Sequence, residues 1–127
     1  MTATPGLKVM VIDDSNTIRR SAEIFLKQGG HQVLLAEDGF DALAKLSDFK
    51  PDLVFCDILM PRLDGYQTCM LIKKNPRFSA TPVIMLSSKD GLFDRARGRM
   101  VGSDEYLTKP FTKDSLLKTV ADHAGGG

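Results

Sequence analysis

The sequence predicts an α/β domain built on a doubly wound, five-stranded parallel sheet. Two observations lead to this prediction. Short apolar runs rich in Val, Ile and Leu recur along the 127-residue chain with little polar alternation, which is typical of strands covered on both faces. Each run is followed by a stretch of helical periodicity, and repeated strand–helix alternation favours parallel strands joined by right-handed crossovers.

Five runs are the candidate strands. In chain order they are KVMVI (8–12), QVLLA (32–36), DLVFC (52–56), PVIML (82–86) and the shorter EYL (105–107). The first helix is expected to begin at Ser15-Asn16-Thr17 and to end at Gly29-Gly30, because Ser caps helix N-termini and Gly favours helix ends.

Four more helices are predicted between and after the later runs. The second and third are indicated by apolar residues at helical spacing: Phe40, Leu43 and Leu46, then Cys69 and Ile72. DGLFDRARGRM predicts the fourth, although Gly98 weakens it. TKDSLLKTVADH predicts the fifth, with Thr112 as its N-cap.

Composition argues against several classes of function. The formal net charge of +1 gives no reason to expect a nucleic acid or an anionic membrane as partner. No apolar run approaches the roughly 20 residues that span a bilayer. The opening MTATPG lacks the features of a signal peptide, and Cys56 and Cys69 are expected to be buried thiols, so a cytoplasmic location is predicted. One domain is predicted over residues 7–124, between a disordered 1–6 and a frayed 125–127.

Polar side chains follow four of the five runs. They are Asp13 and Asp14 after the first, Asp57 after the third, Ser87 and Ser88 after the fourth, and Thr108, Lys109 and Pro110 after the fifth. The carboxyl ends of parallel strands share one edge of a sheet, and ligands bind there. We therefore expect these groups to meet at one rim.

Each group also has a purely structural explanation. Asp13 or Asp14 could cap the first helix, and Ser87 could cap the fourth. Lys109 could be an ordinary solvated lysine. Asp57 is harder to explain in this way, because it ends an apolar strand and desolvation of a carboxylate is costly without compensation. Four strands that deliver acids, a hydroxyl and an ammonium group to one rim favour a functional site.

The chemistry of this set points to phosphoryl transfer. Clustered carboxylates need a cation or an ammonium group beside them, and an all-oxygen set favours Mg²⁺. Asp57 is the candidate nucleophile because it stands alone on the central strand, with Asp13 and Asp14 as candidate metal ligands. Lys109 offers positive charge and Ser87 a hydroxyl donor to the phosphoryl group.

The DD pair, the lone Asp followed by ILMPRLDG, the Ser after the fourth run and the Lys-Pro after the fifth resemble the receiver domain of two-component response regulators. The resemblance covers residues 7–124 and implies a flavodoxin-like, CheY-like sheet of strand order 2-1-3-4-5. It implies a signalling protein rather than an enzyme, with Mg²⁺ as its cofactor and no bound flavin or nucleotide.

The resemblance also assigns roles to the rim residues. Asp57 matches the phosphoacceptor. Mg²⁺ would be held by Asp57, Asp14, Asp13 through water, and the backbone carbonyl of Leu59. Ser87, with Ser88 beside it, matches the switch hydroxyl, Lys109 the phosphate-pairing lysine and Tyr106 the aromatic switch. Lys109-Pro110 matches the family's cis peptide bond.

Longer strings such as VMVIDDSNTIRR and VGSDEYLTKPF resemble stand-alone regulators of type IV pilus twitching motility. This implies a CheA-like histidine kinase as phosphodonor and a downstream protein effector that docks on the fourth helix, fifth strand and fifth helix. On that face, to which Tyr106 also belongs, Arg95 and Arg99 share a side at four-residue spacing, while Arg97 points elsewhere. They could be simply solvated, or they could fit an acidic groove of a partner.

Two positions depart from the chemotaxis members of the family. Leu59 and Lys89 stand where those proteins carry Asn and Glu, which predicts a changed lifetime of the phosphoryl group. Other functions on a related fold would call for different features. An aspartyl-phosphate phosphatase would need an acid at Leu59, and a flavodoxin-like nucleotide or flavin binder would need an uncharged phosphate loop in place of DDSNT. A phosphate sink or a phosphorylation-independent pseudo-receiver would use the same fold.

Overall fold

Strands and helices alternate along the part of the chain that the computed structural model describes, which is residues 6–88 and 94–123. The strands are β1 (Lys8–Ile12), β2 (Gln32–Ala36), β3 (Leu53–Asp57), β4 (Val83–Ser88) and β5 (Glu105–Lys109). The helices are α1 (Asn16–Gln28), α2 (Gly39–Phe49), α3 (Gly65–Lys74), α4 (Arg95–Val101) and α5 (Lys113–His123). The predictions for residues 1–5 and 124–127, for Lys89, and for the part of the fourth helix at 90–93 lie outside these residues.

The sheet has the strand order β2-β1-β3-β4-β5, and all four pairings are parallel. The predicted fold class and strand order are therefore confirmed. Strand order reverses between β1 and β3, so the carboxyl ends of these two strands flank the crevice where such sheets bind ligands.

Three strands run further than their apolar runs. Asp57 pairs with Leu86, Ser87 with Thr108, and Ser88 with Lys109, so these polar residues belong to the strands rather than to the loops after them. The backbone ladder continues because hydrogen bonding between main chains does not require an apolar side chain.

The two faces of the sheet bury separate apolar clusters. Met10 and Ile12 point to the face covered by α2 and α3, while Val9 and Val11 point to the face covered by α1 and α5. Successive residues of a strand alternate between faces, so a strand buried on both sides must be apolar throughout. This is why the runs show no polar alternation.

Capping residues fix the helix ends. Ser15 accepts a hydrogen bond from the Ile18 N–H at 3.3 Å, and Thr112 accepts one from the Ser115 N–H at 3.0 Å, as expected for N-caps. Asp94, and not Ser87, caps α4. Gly29 is the C-cap of α1.

One residue of the predicted apolar stripes is exposed and does not belong to the core. Phe40 of α2 is 52% exposed, and the buried positions of that helix are Gly39, Ala42 and Leu46. Its ring contacts the guanidinium group of Arg62, whose carbon lies 5.3 Å from the ring centroid. Among the described residues, no helix has the length and apolar character needed to cross a membrane.

Candidate functional site

The side chain of Lys109 joins two acids at the carboxyl rim of the sheet. Its Nζ lies 3.0 Å from Oδ1 of Asp57 and 3.2 Å from Oδ2 of Asp13. Both carboxylates are buried, with Asp57 only 4% exposed. The three residues come from the ends of β1, β3 and β5, so the sheet brings together groups that are far apart in sequence. Lys109 is therefore not a solvated lysine.

Asp14 completes a cluster of carboxylates. One oxygen from each of Asp13, Asp14 and Asp57 lies within 4.8 Å of the others, and Asp14 is exposed at the surface of the cluster. The other oxygen of Asp13 accepts a hydrogen bond from the Ser15 N–H at 2.9 Å, which fixes that side chain at the start of α1. Neither acid serves as the N-cap of α1, because Ser15 has that role.

Burial and neighbouring charge change the acid–base chemistry of this cluster. Burial and, after it, the charge of Asp13 raise the pKa of Asp57 to about 6, although the hydrogen bond and charge of Lys109 oppose the rise. Burial alone would lower the pKa of Lys109, but its hydrogen bond to Asp57 and the charge of Asp13 raise it overall. Asp57 is thus ionised above neutral pH, beside a charged ammonium group.

The donor set fits Mg²⁺. It consists of oxygen atoms from three carboxylates, without a His or Cys ligand, and hard divalent cations prefer such oxygen ligands. Asp13 and Asp57 are held by hydrogen bonds to Lys109. Asp14 is exposed, so a cation from solvent can reach it. A carboxylate cluster that already requires one cation beside it would gain from a second.

The backbone after Asp57 is packed against the start of α3. The Gly65 N–H donates to the Ile58 carbonyl at 2.8 Å, and a Cβ atom at Gly65 would lie 2.3 Å from the Asp57 carbonyl oxygen. Only glycine allows this approach. The loop between them holds Arg62 in the left-handed region at φ 69°, tied to Asp38 by an ion pair of 2.7 Å. The backbone of Asp57 and Ile58 is therefore held closely against the start of α3.

Among the described residues, the other rim residues make no hydrogen bond to the Lys109 ammonium group, whose partners are Asp13 and Asp57. Ser87 is buried, and its hydroxyl donates to the Ser88 carbonyl at 3.3 Å, while Ser88 itself is exposed. The side chain of Leu59 is 72% exposed. The Lys109–Pro110 peptide bond is cis.

Comparisons with known proteins show the family to which the chain belongs. The response regulator receiver domain matches residues 9–121. The chain belongs to this family. It is 68% identical over 118 residues to Protein PilG of Pseudomonas aeruginosa, a match that covers 93% of this chain and 87% of that protein. It is 41% identical to Protein PilH of the same organism, over 89% of this chain and 93% of that protein.

Solved structures show the same fold. The chemotaxis protein CheY4 of Vibrio cholerae superposes with a TM-score of 0.88 at 32% identity, over 92% of this chain and 98% of that one. The receiver domain of the Francisella response regulator 1452 gives a TM-score of 0.81 at 34% identity, over 92% and 95%. The chain is therefore similar to receiver domains in both sequence and structure.

A second group of predicted residues lies on the surface formed by α4 and β5. Arg95 donates a hydrogen bond to the Tyr106 hydroxyl at 3.0 Å, and Arg95 and Arg99 line the same cleft. Arg97 points toward α3, where its guanidinium carbon lies 4.4 Å from the Tyr66 ring centroid and its Nη2 lies 3.6 Å from Asp64. The structure thus groups Arg95, Arg99 and Tyr106 apart from Arg97.

Sequence reasoning missed three residues near the site. The Arg19 guanidinium donates to the Asp13 carbonyl, Gly65 packs against Asp57, and the Tyr66 hydroxyl accepts from the Asp94 N–H at 2.9 Å. The Asp-Gly pair before α3 was a signal for Gly65, since glycine marks close approaches of backbone. Arg19 and Tyr66 act through tertiary contacts and carry no local signal.

Proposed function

We propose that the protein accepts a phosphoryl group on Asp57 from a CheA-like histidine kinase, with Mg²⁺ as cofactor, and thereby changes a protein-binding surface on α4, β5 and α5. The observation that carries the proposal is the Lys109 ammonium group between Asp13 and Asp57, at the rim where three carboxylates converge. A nucleophilic carboxylate beside a fixed ammonium group suits phosphoryl transfer.

In the proposed reaction an Asp57 carboxylate oxygen forms a bond to phosphorus while the bond from phosphorus to the donor's histidine nitrogen breaks. The leaving imidazole takes a proton and departs neutral. Asp57 can attack because its pKa of about 6 leaves it ionised above neutral pH. Lys109, already 3.0 Å from Asp57, would neutralise charge on the incoming group without moving far.

Asp13, Asp14, Asp57 and the backbone carbonyl of Leu59 would hold Mg²⁺. When bound, Mg²⁺ supplies positive charge to the phosphoryl oxygens. Asp13 is fixed by Ser15 and Lys109, and Asp14 lies exposed beside it. The chain itself contributes by holding these oxygens close together at the ends of β1 and β3 before the ion binds.

The response would pass through Ser87 and Tyr106. Ser87 now donates to the Ser88 carbonyl, and a phosphoryl group on Asp57 would offer its hydroxyl a stronger, charged acceptor. Movement of Ser87 would leave room for the half-buried ring of Tyr106 to turn inward. To reverse a 1:99 population of the two states, the phosphoryl group must favour the active one by about 5.5 kcal/mol.

A cytoplasmic role in type IV pilus and twitching motility control is proposed on the resemblance of the longer sequence strings. The 68% identity to Protein PilG supports this assignment. The effector would be a protein, since no feature of the described surface calls for nucleic acid or membrane.

Intact-protein mass after incubation with acetyl phosphate tests the proposal. We expect the wild type to gain one phosphoryl group with Mg²⁺ and none with EDTA. Asp57→Ala should gain none, while Asp48→Ala, which removes an exposed acid of α2, should behave as wild type. A folded wild type that binds Mg²⁺ but gains no mass would contradict phosphorylation by a small donor and favour a pseudo-receiver.

A further inference from the structure

Arg62 has a backbone conformation that its residue type does not favour. Among the described residues, Lys50 and Arg62 are the two besides glycine with positive φ, at 55° and 69°. Lys50 is the C-cap of α2, where a left-handed residue is common. Arg62 ends no helix, and glycine would adopt this conformation without the clash of a Cβ atom. A long charged side chain at this position therefore calls for an explanation.

The strain at Arg62 comes from a tight turn in the loop after β3. The Leu63 N–H donates to the Pro61 carbonyl at 2.7 Å, which closes a three-residue turn around Arg62. With positive φ at the central residue, this is the rarer and more strained form of the γ-turn. Strained backbone persists only where the surrounding structure holds it, and it is concentrated at functional sites.

The side chain of Arg62 holds this turn against the start of α2. Its Nη2 lies 2.7 Å from Oδ2 of Asp38, and its guanidinium carbon lies 5.3 Å from the Phe40 ring centroid. Asp38 is already fixed as the N-cap of α2, because its Oδ1 accepts a hydrogen bond from the Asp41 N–H at 2.7 Å. An exposed ion pair usually contributes little, but a partner fixed in advance and a second contact with a ring make this one more favourable. The three side chains of Arg62, Asp38 and Phe40 form a clamp between the loop and α2.

The helix end that anchors the clamp is closely packed. A Cβ atom on Gly39 would lie 2.3 Å from Oγ1 of Thr68 and 2.8 Å from Cδ2 of Leu63. The start of α2 therefore lies directly on the turn and on α3, with no room for a larger residue. A side chain tied to this helix end is tied to a fixed point.

The clamped loop carries the Leu59 carbonyl. Within residues 6–88 and 94–123 this carbonyl accepts no hydrogen bond, so it is available to a ligand. The loop is anchored at its start by Ile58, whose carbonyl accepts from the Gly65 N–H at 2.8 Å, and by the buried side chain of Met60. Arg62 supplies its anchor on the side of α2.

We propose that Arg62 is a positioning residue for the Mg²⁺ site: by clamping its loop to the start of α2, it holds the Leu59 carbonyl in place before the ion binds. This role rests on the proposed function, in which that carbonyl is a ligand of the ion. Charge and position have opposite effects here. The positive charge of Arg62 opposes the binding of a cation, whereas a ligand held in place favours it.

The clamp is tested by titrating the protein with MgCl₂, without a phosphodonor, and following the amide NMR signal of Gly65. We expect Arg62→Ala to weaken Mg²⁺ binding at least threefold, although loss of a positive charge alone would strengthen it. Arg77→Ala removes another exposed arginine that contacts a ring, at 5.8 Å from Phe78, and should not weaken binding. Arg62→Lys keeps the charge without the planar fork and should be intermediate. Unchanged or tighter binding in Arg62→Ala would overturn the clamp.

Arg62→Gly separates the clamp from the stability of the fold. Glycine relieves the strained φ, so this variant should unfold at a higher temperature than Arg62→Ala. Because it also lacks the side chain, it should still bind Mg²⁺ at least threefold more weakly than the wild type. A purely structural role would give stability and affinity the same order. Wild-type affinity in Arg62→Gly would show that the backbone conformation matters and the side chain does not.

Asp38→Asn keeps an oxygen for the N-cap and removes the charged partner of Arg62. It should also weaken Mg²⁺ binding. The double variant with Arg62→Ala should bind no more weakly than the worse single variant, because both changes break the same contact. If the two charges acted independently of any clamp, their opposite effects would cancel and the double variant would bind like the wild type.

Asp14→Ala shows which of the two ideas fails. It removes the exposed carboxylate of the cluster and should abolish saturable Mg²⁺ binding. If the wild type shows no saturable shift, or if Asp14→Ala binds equally well, the proposed Mg²⁺ site fails and the clamp fails with it. If Asp14→Ala loses binding while Arg62→Ala behaves like Arg77→Ala, the Mg²⁺ site stands and Arg62 has no positioning role.

Discussion

Strand β5 carries one residue of each of two charged regions, and the two are built in opposite ways. Lys109 at its end lies between the buried carboxylates of Asp13 and Asp57. Tyr106, three residues earlier, lies beside the exposed arginines Arg95 and Arg99. A buried charge must be matched within the protein, so its geometry is fixed, whereas an exposed cation can stay unpaired at little cost and remains available to a partner.

The largest expected effect is at the fixed region, which is the buried cluster of Asp13, Asp57 and Lys109 with the backbone packed around it. Gly65→Ala places a Cβ atom 2.3 Å from the Asp57 carbonyl oxygen, where backbone meets backbone. We expect the free energy of unfolding to fall by about 3 kcal/mol, measured by urea denaturation. Gly29→Ala is the control, since its new atom would meet the flexible end of Leu117 at 2.6 Å and the loss should be smaller. Equal losses would show that the packing around Asp57 is not rigid.

A direct comparison of the two regions comes from removing one cation from each. In EDTA at pH 7.5, Lys109→Met should lower the free energy of unfolding by about 2 kcal/mol, because two buried acids lose their partner. Arg99→Met should cost less than about 0.5 kcal/mol.

The expected pH dependence of the stability of Lys109→Met follows from the direction in which folding shifts the pKa of Asp57. Folding already raises the pKa of Asp57 to about 6, above its value in the unfolded chain, and removal of Lys109 raises it further. The folded state then binds the proton more tightly, so stability is regained as pH falls from 7.5 to 5. A loss in Lys109→Met that is the same at both pH values would contradict this explanation.

Leu59 tests whether the exposed edge of the fixed region affects chemistry. Its apolar side chain, 72% exposed, gives a water molecule no hydrogen bond near Asp57. We expect Leu59→Asn to shorten the lifetime of the phosphoryl group about tenfold, which is about 1.4 kcal/mol in the barrier. Intact-mass decay after removal of acetyl phosphate measures it, with Leu71→Asn on α3 as control. A wild-type half-life of seconds that is unchanged in Leu59→Asn would count against this role.

The smallest expected effect is a pH dependence of stability that distinguishes the two histidines, His31 and His123. Burial lowers the pKa of His31, and its Nδ1 accepts a hydrogen bond from the Leu7 N–H at 3.1 Å. The unfolded chain therefore binds this proton more readily, and stability should fall as pH drops below about 6.5. The loss of one hydrogen bond sets the scale at about 1 kcal/mol.

His31→Asn keeps an acceptor that does not titrate, so thermal unfolding between pH 7.5 and 5.5 should depend less on pH in this variant. His123→Asn, in the exposed pair with Glu105, is the matched control and should leave the His31 contribution to the slope in place. If His31→Asn had the same slope as the wild type, the source of the pH dependence would lie elsewhere.

The position of the residues in the fixed region could be predicted from the sequence better than that of the open region, which is the exposed surface of Arg95, Arg99 and Tyr106. β1 and β2 match their apolar runs residue for residue, because burial on both faces requires apolar side chains throughout. Residues at strand ends could be placed at one rim from topology alone. The strand ends themselves were set too early at Ser87, Ser88 and Lys109, since main-chain pairing continues through polar residues.

The remaining features depend on packing between elements. Phe40 fits an apolar stripe by spacing, but its side of α2 faces solvent and Arg62. The contact of Arg95 with Tyr106 joins residues of α4 and β5, and that of Arg97 with Tyr66 joins α4 and α3. Periodicity shows which residues share a helix face, but it does not show which neighbouring element that face meets.

Hydrogen exchange with and without beryllofluoride tests the central claim most directly, namely that the fixed region controls the open one. In Mg²⁺ we expect beryllofluoride to change amide protection in residues 95–109 as well as around Asp57, and Asp57→Ala to abolish both changes. Changes confined to the residues around Asp57, with 95–109 unaltered, would show that the site at Asp57 does not control the surface of α4 and β5.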